Sequence, residues 1–262
     1  MAAVPPTKKY LILQRYKCFE NNLFFVYLFL RPSAMKQVLQ FLQDLSEHND
    51  KLWFEANKAR YREAKARVDL LAEDLIAAIR AFDDSIGPLT PKDCTWRIYR
   101  DTRFSHDKRP YKTQMGVYVA PGGKKSGYSG YYFQIGAPDA GHMLAAGNYF
   151  CMPPVLKTLR EDILLGGGDF RNILSQIDPR MKLDLSESLK RTPAGFPADG
   201  PDADFYKLKN FSLVWMPDDK FITDKGLVER LAAVFKTTKP FLDYLNRAIT
   251  YCREETNDPF HL

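Results

Sequence analysis

The chain has 262 residues, with 45% hydrophobic and 13% aromatic content, enough for one large domain with a sizeable core or for two small ones. Thirty-eight Lys and Arg stand against 32 Asp and Glu, a formal charge of +6, which permits an anionic partner without requiring one. This composition excludes a disordered chain, and four scattered cysteines with no CxxC pair argue against a zinc ribbon, a thioredoxin-like motif or a disulfide scaffold.

Reduced thiols in a cytoplasmic setting are therefore expected. The four histidines, His48, His106, His142 and His261, have no metal-ligand spacing, so neither a metal nor a cofactor is called for.

Residues 1–34 differ from the rest. They have a basic front and an apolar run from Leu23 to Leu30, and those eight residues are too few for a bilayer span, which needs about 20. A signal-peptide reading is poor, because Pro32 occupies the −3 position of a cut after Ala34. A weak anchor, a β-rich extension and a leader upstream of the working start at Met35 remain. The last is preferred, because Met35 opens a clean amphipathic pattern. One domain over residues 35–262 follows, with no membrane association.

Val38, Leu39, Phe41, Leu42 and Leu45 recur at helical spacing and predict a helix over Lys36 to Leu45. Asn49 or Asp50 can cap the next helix, which runs from Trp53 to Phe82 with a break near Asn57. Trp53 and Phe54 are expected in the core, and Asn57 bracing the backbone. Gly87-Pro88 and Pro91 close this helical section.

From Cys94 the period changes. Trp96 and Ile98 alternate with Thr95, Arg97 and Tyr99, which predicts a strand over Thr95 to Arg100. Gly116 to Ala120, Tyr128 to Gly136 and Met143 to Phe150 follow as further strands. The links are too short for helical crossovers, so consecutive antiparallel pairing is expected. The glycine-rich stretch Pro121 to Gly127 lacks the GxxxxGK[ST] spacing of a phosphate loop and reads as a hairpin tip.

Helices return at Pro153. One is expected through Leu165, stopped by Gly166-Gly-Gly168, and a second from Phe170 to Ile177. A helical turn over Asp204 to Lys207 and a strand over Phe211 to Met216 precede two closing helices, Lys225 to Phe235 and Pro240 to Cys252. The fold class is therefore α+β: a single domain with N-terminal helices, a central mainly antiparallel sheet, and C-terminal helices packed on it.

The densest chemistry lies between Arg97 and Thr113, RIYRDTRFSHDKRPYKT, where six basic residues meet only Asp101 and Asp107. Arginine forks suit phosphate or carboxylate, and lysine adds a mobile charge. Not all six can converge on one ligand. Arg100, Arg103, Lys108 and Lys112 form the smaller candidate set, with Asp101 beside them and Tyr111 as a stacking wall. Arg191 and Lys209 are candidates to join from later in the chain.

Three functions compete. One is a binding module for an anionic small molecule, with a nucleic-acid backbone less well supported. The second is an enzyme on an anionic substrate, with Asp101 or Asp107 as general base. The third is internal glue, in which the charges pair with one another while Phe104 and Tyr111 plug the core. The run Ser105-His106-Asp107 suggests a triad, but sequence neighbours rarely achieve that geometry, and His106 reads as an exposed loop residue.

These residues also carry a resemblance. RDTRFSHDKRPYKT resembles the RDxRFSxDKxPYK signature of a bacterial and fungal domain-of-unknown-function family. HNDKLWFEANKARY, YYFQI, LKRTPAGF and LKNF resemble other segments of the same family, although His48-Asn49-Asp50 stands where an Asn pair is usual. The resemblance runs from about Met35 to near the C-terminus. It implies the family and imports no established activity, catalytic residue or cofactor.

Overall fold

The computed structural model describes residues 34–256. The expectation for the leader falls, except for Ala34, outside the described residues, as do Cys18 and His261.

Helix α1 spans Ala34–Glu47, and Ala34 is already buried in it. Its buried stripe contains Val38, Leu39, Phe41, Leu42 and Leu45, the residues whose spacing predicts the helix. Asp50 caps α2, Lys51–Ala56, by accepting the Trp53 N–H at 3.0 Å. Asn57 separates α2 from α3, Lys58–Arg80, and its side-chain amide donates to the Trp53 carbonyl at 3.0 Å. The same carbonyl also accepts the Asn57 backbone N–H at 3.0 Å, so Asn57 holds the end of α2 through both its backbone and its side chain. A capping box between Thr90 and Asp93 starts the short α4, Pro91–Cys94.

The predicted strand over Thr95 to Arg100 is not a regular strand. It makes two isolated bridges, Thr95 to Val117 and Tyr99 to Tyr111. Ile98 accepts from Lys112 N–H at 2.8 Å and Arg100 N–H donates to Pro110 at 2.9 Å. Pro110 has no N–H to return, so the ladder cannot extend toward the loop.

The sheet is built from β1 Gln114–Val119, β2 Gly130–Gly136, β3 Met143–Asn148, β4 Lys182–Leu183 and β5 Phe211–Trp215. Its order is β1-β2-β3-β5-β4, with every neighbouring pair antiparallel. The first three strands are consecutive hairpins, as the short links require. Between β1 and β2, Gly122, Gly123 and Gly127 hold φ values of 73°, 82° and 75°, which L side chains rarely adopt. The hairpin-tip reading of that stretch holds. The two-residue β4 has no sequence counterpart in the reading above.

Of two expected helix breaks, one is present and one is not. Helix α5, Pro153–Ser175, is two helical pieces joined at a kink, because Gly166 leaves helical geometry (φ −140°, ψ 35°), so the break expected at the glycine run is present. Between β4 and β5 lies α6, Ala203–Tyr206, and after β5 comes α7, Asp219–Thr223. The last helix, α8, is one element over Leu227–Thr256 with Pro240 inside it. Proline removes a backbone donor at that turn. The helix survives because both halves bury apolar residues in one core, including Leu231 and Phe235 before the proline and Phe241 and Leu245 after it.

Strand alternation splits the sheet into two faces. Met115, Val117, Phe133, Ile135, Leu144 and Leu213 are buried in the main core. Helix α3 meets β1, α1 meets β2 and α8 meets β3. Gly116 and Tyr118, Tyr132 and Gln134, Ala145 and Val214 point to the other face, where they line a cavity.

Candidate functional site

The loop from Arg97 to Thr113 divides its charges between two tasks. Arg100 Nη1 lies 2.6 Å from Asp107 Oδ2, and Arg109 lies 2.9 Å from the same oxygen while reaching Asp139 at 2.8 Å. These four residues form one alternating chain of charges. The Arg109 and Arg100 guanidinium groups hold the Asp107 carboxyl far below the usual carboxylate range. Asp101 pairs with Arg103 at 2.6 Å, and that bond holds the Asp101 carboxyl low. Lys108 donates to the Thr102 carbonyl at 3.0 Å.

Tyr111 is buried, its ring stacked on Phe54 at 3.9 Å between centroids. Burial pushes its phenol up. Phe104, expected beside it in the internal-glue reading, is instead 95% exposed at the loop tip. His106 is exposed. Phe54 is buried as expected, whereas Trp53 is only partly buried and packs against the core.

Only Lys112 of the smaller candidate set lines the cavity. Arg97, left out of that set, lines it too. Neither residue makes an ion pair among the described residues. Burial, and then the neighbouring Arg97 charge, lower the Lys112 pKa. Arg191 and Lys209 are exposed and lie away from the cavity lining. Asp101 and Asp107 also lie outside it, and a carboxylate held strongly ionised is a weak base.

The cavity has a volume of about 1030 Å³. Its floor is aromatic. Gly116 lets the Tyr132 ring lie across β1, since a Cβ there would stand 2.7 Å from Tyr132 Oη and 2.8 Å from Cε2. Tyr132 donates to Gln134 Oε1 at 2.7 Å, and Gln134 Nε2 donates to the carbonyls of Ala140 and Gly141 at 3.1 and 2.9 Å. Tyr118 donates to the Tyr128 carbonyl at 2.8 Å. Burial pushes the Tyr132 phenol up to about 12 and raises that of Tyr118 as well, so both hydroxyls are protonated donors near neutral pH. Trp96 meets Tyr132 edge-on at 6.2 Å and Tyr118 at 6.4 Å.

Other cations at the cavity are already engaged. Lys65 pairs with Asp69, Lys124 donates to the Lys92 carbonyl, and Arg253 lies over the Tyr128 ring at 4.2 Å. Asp184 is the acidic residue of the lining, and it accepts from Ser186 N–H at 2.9 Å. Among the described residues no three His, Cys, Asp or Glu are grouped to hold a metal ion, and no helix is long and apolar enough to cross a membrane. Cys94, Cys151 and Cys252 are buried, and Cys252 Sγ lies 3.3 Å from Thr158 Oγ1.

A family model described as a conserved hypothetical protein, DUF2461, matches residues 37–244. The chain belongs to that family. No curated protein and no solved structure matches it. The DUF2461 match spans nearly all of α1 through most of α8 and includes the charged loop and all of the cavity lining except Ile249 and Arg253.

In the sequence of this DUF2461 chain, Arg97 stands among the six basic residues but outside the smaller candidate set, and Trp96, Tyr118 and Tyr132 read only as strand residues. One signal was available. In β1 and β2 the positions opposite the apolar ones carry Gly116, Tyr118 and Tyr132, and ring-bearing residues on the face away from the core line something other than core.

Proposed function

We propose that this protein binds an anionic small molecule in the cavity on the open face of its sheet, with Arg97 and Lys112 as the anion contacts. The observation that carries this reading is the juxtaposition of two like charges in one cavity, the lysine partly desolvated, with no ion-pair contact to either among the described residues and Asp101 acting on Arg97 only at longer range. Such a pair is costly until an anion joins it. An arginine fork beside a lysine suits phosphate or carboxylate. The volume lies in the range of small-molecule sites. The remaining charges of the loop act as its frame. The buried thiols of Cys94 and Cys151 support a reducing, cytoplasmic setting.

The test is calorimetry with ribose 5-phosphate and with citrate at low salt, on wild type, Arg97→Gln and Lys112→Gln. At 100 times its dissociation constant, a true ligand also adds about 2.7 kcal/mol of stability. Both variants are expected to keep their fold and lose binding. Binding that survives both substitutions would rule out this assignment of the contacts.

A further inference from the structure

Resting on that reading, we infer that the ligand is not a bare anion but a planar-ring anion. In this inference the ring is held on the surface made by Trp96, Tyr118 and Tyr132, and the phosphate or carboxylate is held by Arg97 and Lys112.

Three features of the floor argue for it. First, the rings belong to the sheet face turned away from the core, so they are not needed to bury the helices. Second, they are fixed in advance. Tyr132 is tied at its hydroxyl to Gln134, which is tied in turn to two carbonyls, and Tyr118 is tied to the Tyr128 carbonyl. A wall that is already ordered loses little entropy when a ligand arrives. Third, Gly116 is the residue that allows the Tyr132 ring to lie along β1, because any side chain would collide with that ring.

Trp96 closes one side of this surface and remains 42% exposed, so part of the indole is accessible to a partner. It is also the chain neighbour of Arg97. One backbone unit therefore supplies both a ring and a guanidinium to the same cavity. The juxtaposition suits a molecule whose ring and anion are a few bonds apart, as in a nucleotide or an aryl carboxylate. At the mouth, Tyr149 and Phe150 are 76% and 77% exposed and add two more rings. A sugar phosphate alone would leave this aromatic surface unused.

The experiment compares ligands that differ by one part. Adenosine 5′-monophosphate, ribose 5-phosphate and adenosine form one set, and indole-3-acetate against acetate forms the carboxylate set. Each is titrated by calorimetry at low salt into wild type, Trp96→Ala and Trp96→Phe. In at least one set the ring-bearing anion is expected to bind about tenfold more tightly than its ringless counterpart. Trp96→Ala should abolish that ratio while leaving the ringless anion unchanged, and Trp96→Phe should restore most of it.

Equal affinity with and without the ring, or a ratio unmoved by Trp96→Ala, overturns the inference and leaves the anion site standing. Absence of binding by every anion overturns both. A single-stranded oligonucleotide that binds far more tightly than the monophosphate, with a steep salt dependence, would overturn the small-molecule assignment in favour of a strand lying across the sheet.

Discussion

Asn49 holds both backbone polar groups of Tyr111, donating from Nδ2 to its carbonyl at 3.0 Å and accepting from its N–H at 3.1 Å. The geometry follows from the Tyr99–Tyr111 bridge. Lys112 N–H bonds to Ile98 and Arg100 N–H to Pro110, so the polar groups of Tyr111 point away from that pairing. A carboxamide offers one donor and one acceptor at the right separation to complete an edge of this kind. A residue on the α1–α2 connection thus fixes the loop from which Lys112 reaches the cavity.

Replacing Asn49 with Ala leaves a donor and an acceptor unsatisfied beside the buried Tyr111 ring. The expected loss is about 1–3 kcal/mol for each group that water does not reach. Asn49→Asp keeps the acceptor, loses the donor and sets a carboxylate against a carbonyl, so it should also destabilise. Urea unfolding measures both. A midpoint unchanged in Asn49→Ala would show that this amide does not hold the loop.

Gly116→Ala is expected to push the Tyr132 ring off β1 and break its bond to Gln134. Overpacking of this kind costs about 1–3 kcal/mol. Removing the ring removes the clash, so Gly116→Ala combined with Tyr132→Ala should be less unstable than the sum of the two single variants, by about 0.5–3 kcal/mol. Strict additivity in denaturant titrations would mean that the two positions do not compete for space.

Much of the fold was legible because it follows local period. The α1 stripe, the break at Asn57 and the three consecutive hairpins each rest on spacing or on a link too short for any other path. What failed was punctuation that tertiary burial overrides. Pro240 reads as a helix start, yet α8 passes through it because both flanks pack into one core, whereas the break read at the glycines 166–168 is present at the non-helical Gly166. The site was legible by region but not by residue. The charge density around Arg100 to Lys112 is plain in the sequence, but ion pairing is a property of space. Asp107 sits between Arg100 and Arg109, and Asp139, 30 residues beyond Arg109, completes the chain. That Arg97 and Lys112, rather than the others, line the cavity is likewise visible only in three dimensions.

Arg103 and Arg100 look alike in the sequence and should behave differently. Arg103 is 77% exposed, pairing only with Asp101 at the loop surface. Arg103→Ala should leave both stability and anion binding unchanged, since surface pairs contribute little. Arg100 is only 24% exposed, and it anchors Asp107, which also engages Arg109. Arg100→Ala should loosen the whole chain of charges. Amide hydrogen exchange across residues 99–112 would show faster opening in Arg100→Ala alone. Equal exchange in the two variants would remove the distinction.

Lys112 predicts how the cavity responds to pH. Its pKa in the folded protein lies below its ordinary value near 10.4, first because it is partly buried and then because Arg97 is close. A base with a depressed folded pKa destabilises the fold while it is charged. That cost is present in full below the folded pKa and fades as pH rises from there through the unfolded value. An anion reverses the balance by favouring the charged lysine, so binding takes up a proton in the alkaline range. Affinity for ribose 5-phosphate should therefore fall as pH rises through the alkaline range, with the decline starting below the ordinary lysine value. Arginine stays charged throughout, so Lys112→Arg should bind with a flatter profile, while Lys112→Gln should bind weakly at every pH. Calorimetry from neutral pH to about 10.5 in matched salt separates the cases. A decline of the same size and midpoint in Lys112→Arg would assign the titration to another group and remove Lys112 from the anion contacts.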